Sequence, residues 1–384
     1  MLQVPAAWLD DIEDPAALMA QWDASMQSIL DLFGITETYK TMLYMQVDRT
    51  LRGSANFPGY PMSNYSYNPT NANSNNSARA FLRGPDDVGY VTYHELGHQL
   101  LFTKFRGEVE SVVHLPYVRF LNKVYGIGLD EAFRTSSFRN SNVNLDHAFM
   151  SWAVRPNFQQ GLPMRTARPN SEKLYQRRGY AHYIAIVQLF GWEALERFWA
   201  SEHLDYANGI DYDRNSNGTG DVDSRILRMS RAAGVDLTPL LHVWGNHPED
   251  FDALAAKISA ENLPASAEIY DKLESYKALI PMTSEAFDTH ARTMYPLLQA
   301  NSNTEAFEGW YHERAQTWTA SDGSASLQAL QDIIDLYFPT GRPANTTSLD
   351  TDQSEPGFDA ATTATPPPLT VIEDVTEDDH HIDP

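Results

Sequence analysis

Along residues 10–34 (DDIEDPAALMAQWDASMQSILDLFG) the apolar positions recur three and four apart, a spacing that predicts an amphipathic helix. Asp14 is placed to cap it, Pro15 falls in the first turn, where a missing N–H costs nothing, and Gly34 stops it. The pattern then changes. Residues 41–65 are rich in Tyr, Phe and Met and interrupted by turn formers, which predicts short strands, and residues 66–78 form an Asn/Ser-rich surface loop. A helix opened by Pro85, Asp86 and Asp87 is expected to run through VGYVTYHELGHQLLF to about Phe102. A second runs from Gly107 to Tyr125 with a break near Pro116. Residues 171–200 read as helix, Gly break, helix, and helical periods return over 224–244 and in several segments between 250 and 338. Strand signals are scarce after residue 80, so the fold class expected is α+β, predominantly α.

Composition narrows what such a body can do. At 384 residues there is room for one large domain or two smaller ones, and no run of about 18 apolar residues exists to span a bilayer. The formal charge of −23 argues against a nucleic-acid partner, which needs basic patches. Much of that charge is local: ten Asp and Glu residues lie between Asp350 and Asp383, with no Lys or Arg among them. From about Thr340 the chain is low in complexity and rich in Thr, Ala, Pro and Asp, and is expected to be a disordered acidic tail. The chain start lacks a basic region and a long apolar stretch, so it does not read as a signal peptide. Cysteine is absent, which leaves only His and carboxylates to hold any metal.

The chemistry concentrates in His94-Glu95-Leu96-Gly97-His98. Positions i and i+4 of a helix share a face, so both imidazoles can reach one ion. Glu95 stands beside the metal rather than on it, where it can take a proton from the attacking water and pass it to the leaving amine. A match to this pattern arises by chance in roughly a few per cent of chains of this length, so its surroundings decide its worth. Here it lies inside an amphipathic helix, and a third ligand stands close downstream. A third His at the longer HExxH-type spacing is absent, since Leu101 and Lys104 fill those places. The chain offers instead Gly107-Glu108-Val109-Glu110, with nine residues between His98 and Glu108, enough for a turn and a second helix packed across the first. Glu108 is the preferred ligand and Glu110 the alternative.

The order Gly59-Tyr60-Pro61, then HELGH, then Gly107-Glu108-Val109 resembles the enhancin-like gluzincin metallopeptidases, which include viral enhancins and bacterial mucin-degrading peptidases. FGWEALERF (residues 190–198) and SRAAGVDLTPLLHVWG (residues 230–245) are similar to the segments that come after that family's active site. The resemblance implies a zincin-type catalytic domain over residues 1–250, a helical extension over 251–340 packed on it, and the tail at 341–384. It also implies one catalytic Zn2+ on His94, His98 and Glu108, with Glu95 catalytic, and cleavage of extracellular, O-glycosylated, mucin-like proteins. It further implies an extracellular or cell-surface setting, with this chain a piece of a longer secreted protein. Two departures stand out. Relatives often carry Asn shortly after the third ligand, where this chain has Glu110, Ser111 and His114, and their usual β-rich preceding domain is not present in these residues.

Other candidates lie away from the motif. Tyr183 and His182, in a stretch dense with Arg and Tyr (residues 177–183), could stabilise the oxyanion, and Tyr60 could line an edge that pairs with substrate backbone. Asp213, Asn215, Asn217 and Gly218 have the alternation of a calcium loop over 213–223, but its twelfth position is Ser224 rather than the bidentate Glu such a loop needs. The rival readings are a zincin-like module that binds glycoprotein without cutting it, and a structural domain in which HELGH is coincidental.

Overall fold

Asp14 accepts hydrogen bonds from the backbone N–H groups of Ala16 and Ala17 at 2.9 and 3.0 Å, and helix α1 (Pro15–Phe33) runs behind that cap. Gly34 ends it at φ +59°, and a Cβ there would lie 2.5 Å from the Cβ of Ala200, so backbone conformation and helix packing both require glycine. This geometry comes from a computed structural model that describes residues 2–3, 6–35, 45–47, 62–64, 82–85, 92–94, 96–97, 109–136, 143–164, 179–208, 222–294, 311 and 314–344.

Three short strands, β1 (Leu2–Gln3), β2 (Met45–Val47) and β3 (Met62–Asn64), form a parallel sheet in that order, with Met45 opposite both Leu2 and Met62. The remaining described elements are helical, so the protein is predominantly α. The short strands predicted within residues 41–65 include β2 and β3; the Asn/Ser-rich loop at 66–78 and the tail beyond residue 344 lie outside the described residues, whereas residues 341–344, expected to belong to the disordered tail, are described, and Arg342 donates to Asp271 at 2.7 and 2.8 Å.

The segment after the motif divides into α2 (Val109–Val112) and α3 (Leu115–Arg119), succeeded by a π-helical turn over Phe120–Val124. The predicted break falls at Val113 and His114, and Pro116 sits in the first turn of α3, where its missing N–H leaves nothing unsatisfied. Then come α4 (Leu129–Ser136), α5 (Leu145–Ala153) and α6 (Pro156–Gln159). Helices α7 (Ala181–Phe190) and α8 (Trp192–Ala207) are next, parted at Gly191 as the sequence predicts. The chain continues with α9 (Val222–Ala233), α10 (Thr238–Val243), α11 (Phe251–Ala260), α12 (Ala267–Tyr276), α13 (Ser284–Met294) and α14 (Ala320–Tyr337).

Helix α8 packs along α1, with the Phe33 ring edge-on to Trp199 at 5.8 Å. Arg119 fastens α3 to both. Its guanidinium donates to the Ser28 carbonyl at 2.6 Å and to Glu196 at 2.7 and 2.9 Å, so its buried charge is compensated. Helix α9 lies on α8 and brings Arg228 to Glu202 at 2.5 Å, an ion pair with almost no solvent exposure. Phe149 of α5 stacks on Tyr276 of α12 at 3.8 Å, and Gln159 of α6 donates to Ser326 of α14, so one hydrophobic core runs from Leu18 to Phe338 and is continuous across residue 250. The described residues all belong to one compact unit, Met1–Asn345. None of their helices is long and apolar enough to cross a membrane.

Candidate functional site

Residues 92–94 and 96–97 are helical, which places the described part of HELGH on a helix as the sequence predicts. Tyr93, Leu96 and Gly97 have the i, i+3, i+4 spacing of an inward face, and both Tyr93 and Leu96 are fully buried. The Tyr93 ring stacks on Tyr117 at 4.5 Å and on Phe120 at 5.1 Å, and its hydroxyl shares a 2.6 Å hydrogen bond with Ser25 of α1. Gly97 meets the backbone of the segment that holds α2 and α3. A Cβ built on it would lie 2.6 Å from the Val113 carbonyl oxygen, 2.7 Å from its Cβ and 2.8 Å from its Cα. Only glycine lets the two backbones cross this closely.

That crossing sets His94 beside His114. His94 is 8% exposed and His114 is fully buried, and the two rings are joined by a 3.2 Å hydrogen bond between His94 Nδ1 and His114 Nε2. The other nitrogen of His114, Nδ1, is 3.0 Å from the backbone oxygen of Ser136, the last described residue of α4. Ser136 extends the network: its Oγ donates to the Phe133 carbonyl at 2.9 Å and shares a 2.7 Å hydrogen bond with the Tyr180 hydroxyl. Tyr180 lies nearly parallel to His114, with centroids 5.6 Å apart, and meets Phe133 edge-on. Burial pushes the Tyr180 hydroxyl well above the ordinary phenol range, only partly offset by the Ser136 hydrogen bond.

Of the residues singled out from the sequence, His94, His182 and Tyr183 are described; Glu95, His98, Glu108 and Tyr60 lie outside the described residues, as does the side chain of Glu110. His182 and Tyr183 are both buried in α7, their rings 3.9 Å apart, and Tyr183 packs against Trp199 of α8. Among the described residues of the stretch 177–183, Tyr180, not emphasised by sequence reasoning, stacks on His114. His114 was named from the sequence only together with Glu110 and Ser111, as a departure from the pattern of the family the motif resembles. Residues 213–221 of the calcium-like loop lie outside the described residues; Ser224, its twelfth position, accepts a 2.5 Å hydrogen bond from Arg228, which brings a positive charge to the place where calcium needs a carboxylate.

The donor chemistry at His94 suits a zinc ion. Its Nδ1 is engaged by His114, so Nε2 is the nitrogen it can offer to a metal, and a ring held through its second nitrogen is the usual state of a ligating histidine. Comparison of the chain with protein-family models, with curated proteins and with solved structures finds no match.

Proposed function

We propose that the protein is a zinc metalloendopeptidase with a gluzincin-type catalytic domain, acting on extracellular, O-glycosylated, mucin-like proteins. The observation that carries this reading is the crossing of Gly97 over Val113. It packs the helix bearing HELGH against the segment containing Val113, five residues after Glu108 in the sequence, which supports a His, His, Glu ligand set. In this reading His94, His98 and Glu108 hold the ion, which would supply a Lewis acid for the scissile carbonyl and lower the pKa of its water to about 7. Glu95 is the general base: it takes the proton of the attacking water and delivers it to the leaving amine nitrogen. The mucin-like substrate class rests on the sequence resemblance. An acidic chain gains no long-range attraction for an anionic glycoprotein, so recognition is local to the cleft.

The test is zinc content on purified protein together with a mucin-cleavage gel, run with and without a chelator. About one zinc per chain, with cleavage lost on chelation and restored by added zinc, is the expected result. Absence of zinc after reconstitution removes the reading. One zinc without cleavage of any glycoprotein favours the binding-module alternative.

A further inference from the structure

We propose that His114 is a positioning residue that holds His94 as its Nδ1–H tautomer and so presents Nε2 to the metal. The metal half of this assignment deepens the zinc reading and rests on it; the tautomer half stands on the hydrogen bonds alone.

Which atoms can donate decides the tautomer. A backbone carbonyl oxygen only accepts, so in the 3.0 Å contact between His114 Nδ1 and Ser136 O the proton sits on Nδ1. A neutral imidazole carries one N–H, so His114 Nε2 bears a lone pair and accepts. Its partner at 3.2 Å, His94 Nδ1, must therefore donate. With its proton on Nδ1, neutral His94 has its lone pair on Nε2, the form in which a histidine ligates a divalent ion. The direction of the whole relay is set by a carbonyl at the end of α4, a group that cannot reverse its role. Burial makes the relay rigid: His114 is fully buried, Tyr180 stacks on it, and the Tyr180 hydroxyl is tied to the same Ser136. Both rings are thus fixed in tautomer and orientation before any metal arrives, which removes an ordering cost from binding.

The residue is also placed by the motif crossing. Val113, against which Gly97 packs, is its immediate neighbour, so the contact that closes the two helices delivers the acceptor to His94. A glutamine at 114 can put an amide oxygen where Nε2 stands and still accept from His94; a phenylalanine keeps ring volume and cannot.

The experiment has two arms. The first is 1H–15N NMR of the metal-free protein with 15N-labelled histidine, His94 being assigned by comparison with His94→Asn. The wild type is expected to show His94 protonated on Nδ1, H114Q to keep that pattern, and H114F to lose it. An Nε2–H signature for His94 in the wild type overturns the proposal. The second arm measures zinc affinity by competition with a chromophoric chelator. H114F is expected to bind about 10- to 100-fold more weakly, the usual effect of removing a ligand's hydrogen-bond partner, with H114Q recovering most of the loss. Affinity unchanged in H114F overturns the proposal as well. The NMR of the wild type decides the tautomer even where H114F fails to fold. Should the wild type show the Nδ1–H tautomer yet bind no zinc, the metallopeptidase reading fails and the tautomer assignment stands.

Discussion

At His94 the ring is held through Nδ1, which faces His114 at 3.2 Å, and Nε2 is the nitrogen proposed to bind the ion. The residue on either side of that ring has a separable task. Tyr93 anchors the helix in the core, and Glu95 is the proposed proton carrier. Because Glu95 is assigned to moving a proton and not to holding zinc, Glu95→Gln should keep the metal and cut turnover by about 10²- to 10⁴-fold. Metal content and cleavage rate measured on one sample check this; retained cleavage removes the general-base assignment. The third ligand is tested in the same way. Glu108→Ala should lower zinc affinity, whereas an equivalent loss in Glu110→Ala with Glu108→Ala unchanged would transfer the role to Glu110.

At the scale of elements, the contact that matters most is the crossing of the motif helix on the segment containing Val113. Both backbones are already in contact there, and Val113 presents its carbonyl and Cα rather than the end of a flexible side chain. Gly97→Ala must therefore separate the two segments. Overpacking of this kind costs about 1–3 kcal/mol, enough to lower the midpoint of a thermal melt by several degrees. Since the same contact delivers His114 to His94, G97A should weaken zinc binding as well as stability. A variant with the wild-type melting temperature and wild-type zinc affinity would show that the crossing is not required.

Across the whole molecule, stability depends on groups that are buried in one charge state. His242 of α10 lies against His247, with ring centroids 4.1 Å apart, and its Nδ1 shares a 2.8 Å hydrogen bond with the Tyr337 hydroxyl of α14. Burial lowers its pKa to about 4. The folded protein thus favours the neutral ring, while the unfolded chain binds a proton at the ordinary value near 6.5. The contribution is complete above about pH 6.5 and is lost as pH falls toward 4, so stability rises with pH across that window. Its full size is on the order of 3 kcal/mol. Denaturant unfolding at a series of pH values should show a shallower decline between pH 6.5 and 4 for His242→Gln than for the wild type. Parallel curves would mean that other groups set the acid sensitivity.

The sequence alone determined what depends on near neighbours in the chain. Asp14, Pro15 and Gly34 set the ends of α1 because capping and backbone preference act within a turn, and the break at Gly191 is legible for the same reason. The predominantly helical character came from apolar spacing, which reports a buried face without saying what covers it. The HELGH pattern pointed to His94 because ligand spacing on a helix is itself a local property. Tertiary structure decided which distant residues meet. His114 is twenty positions from His94 and Tyr180 forty-four from Ser136. No period or motif links them; they come together because Gly97 admits Val113 and because the Ser136 carbonyl meets His114. Which residues join α11 to α14 to the earlier helices was equally beyond sequence reading, since a stacked pair such as Phe149 and Tyr276 leaves no trace in the spacing of either segment.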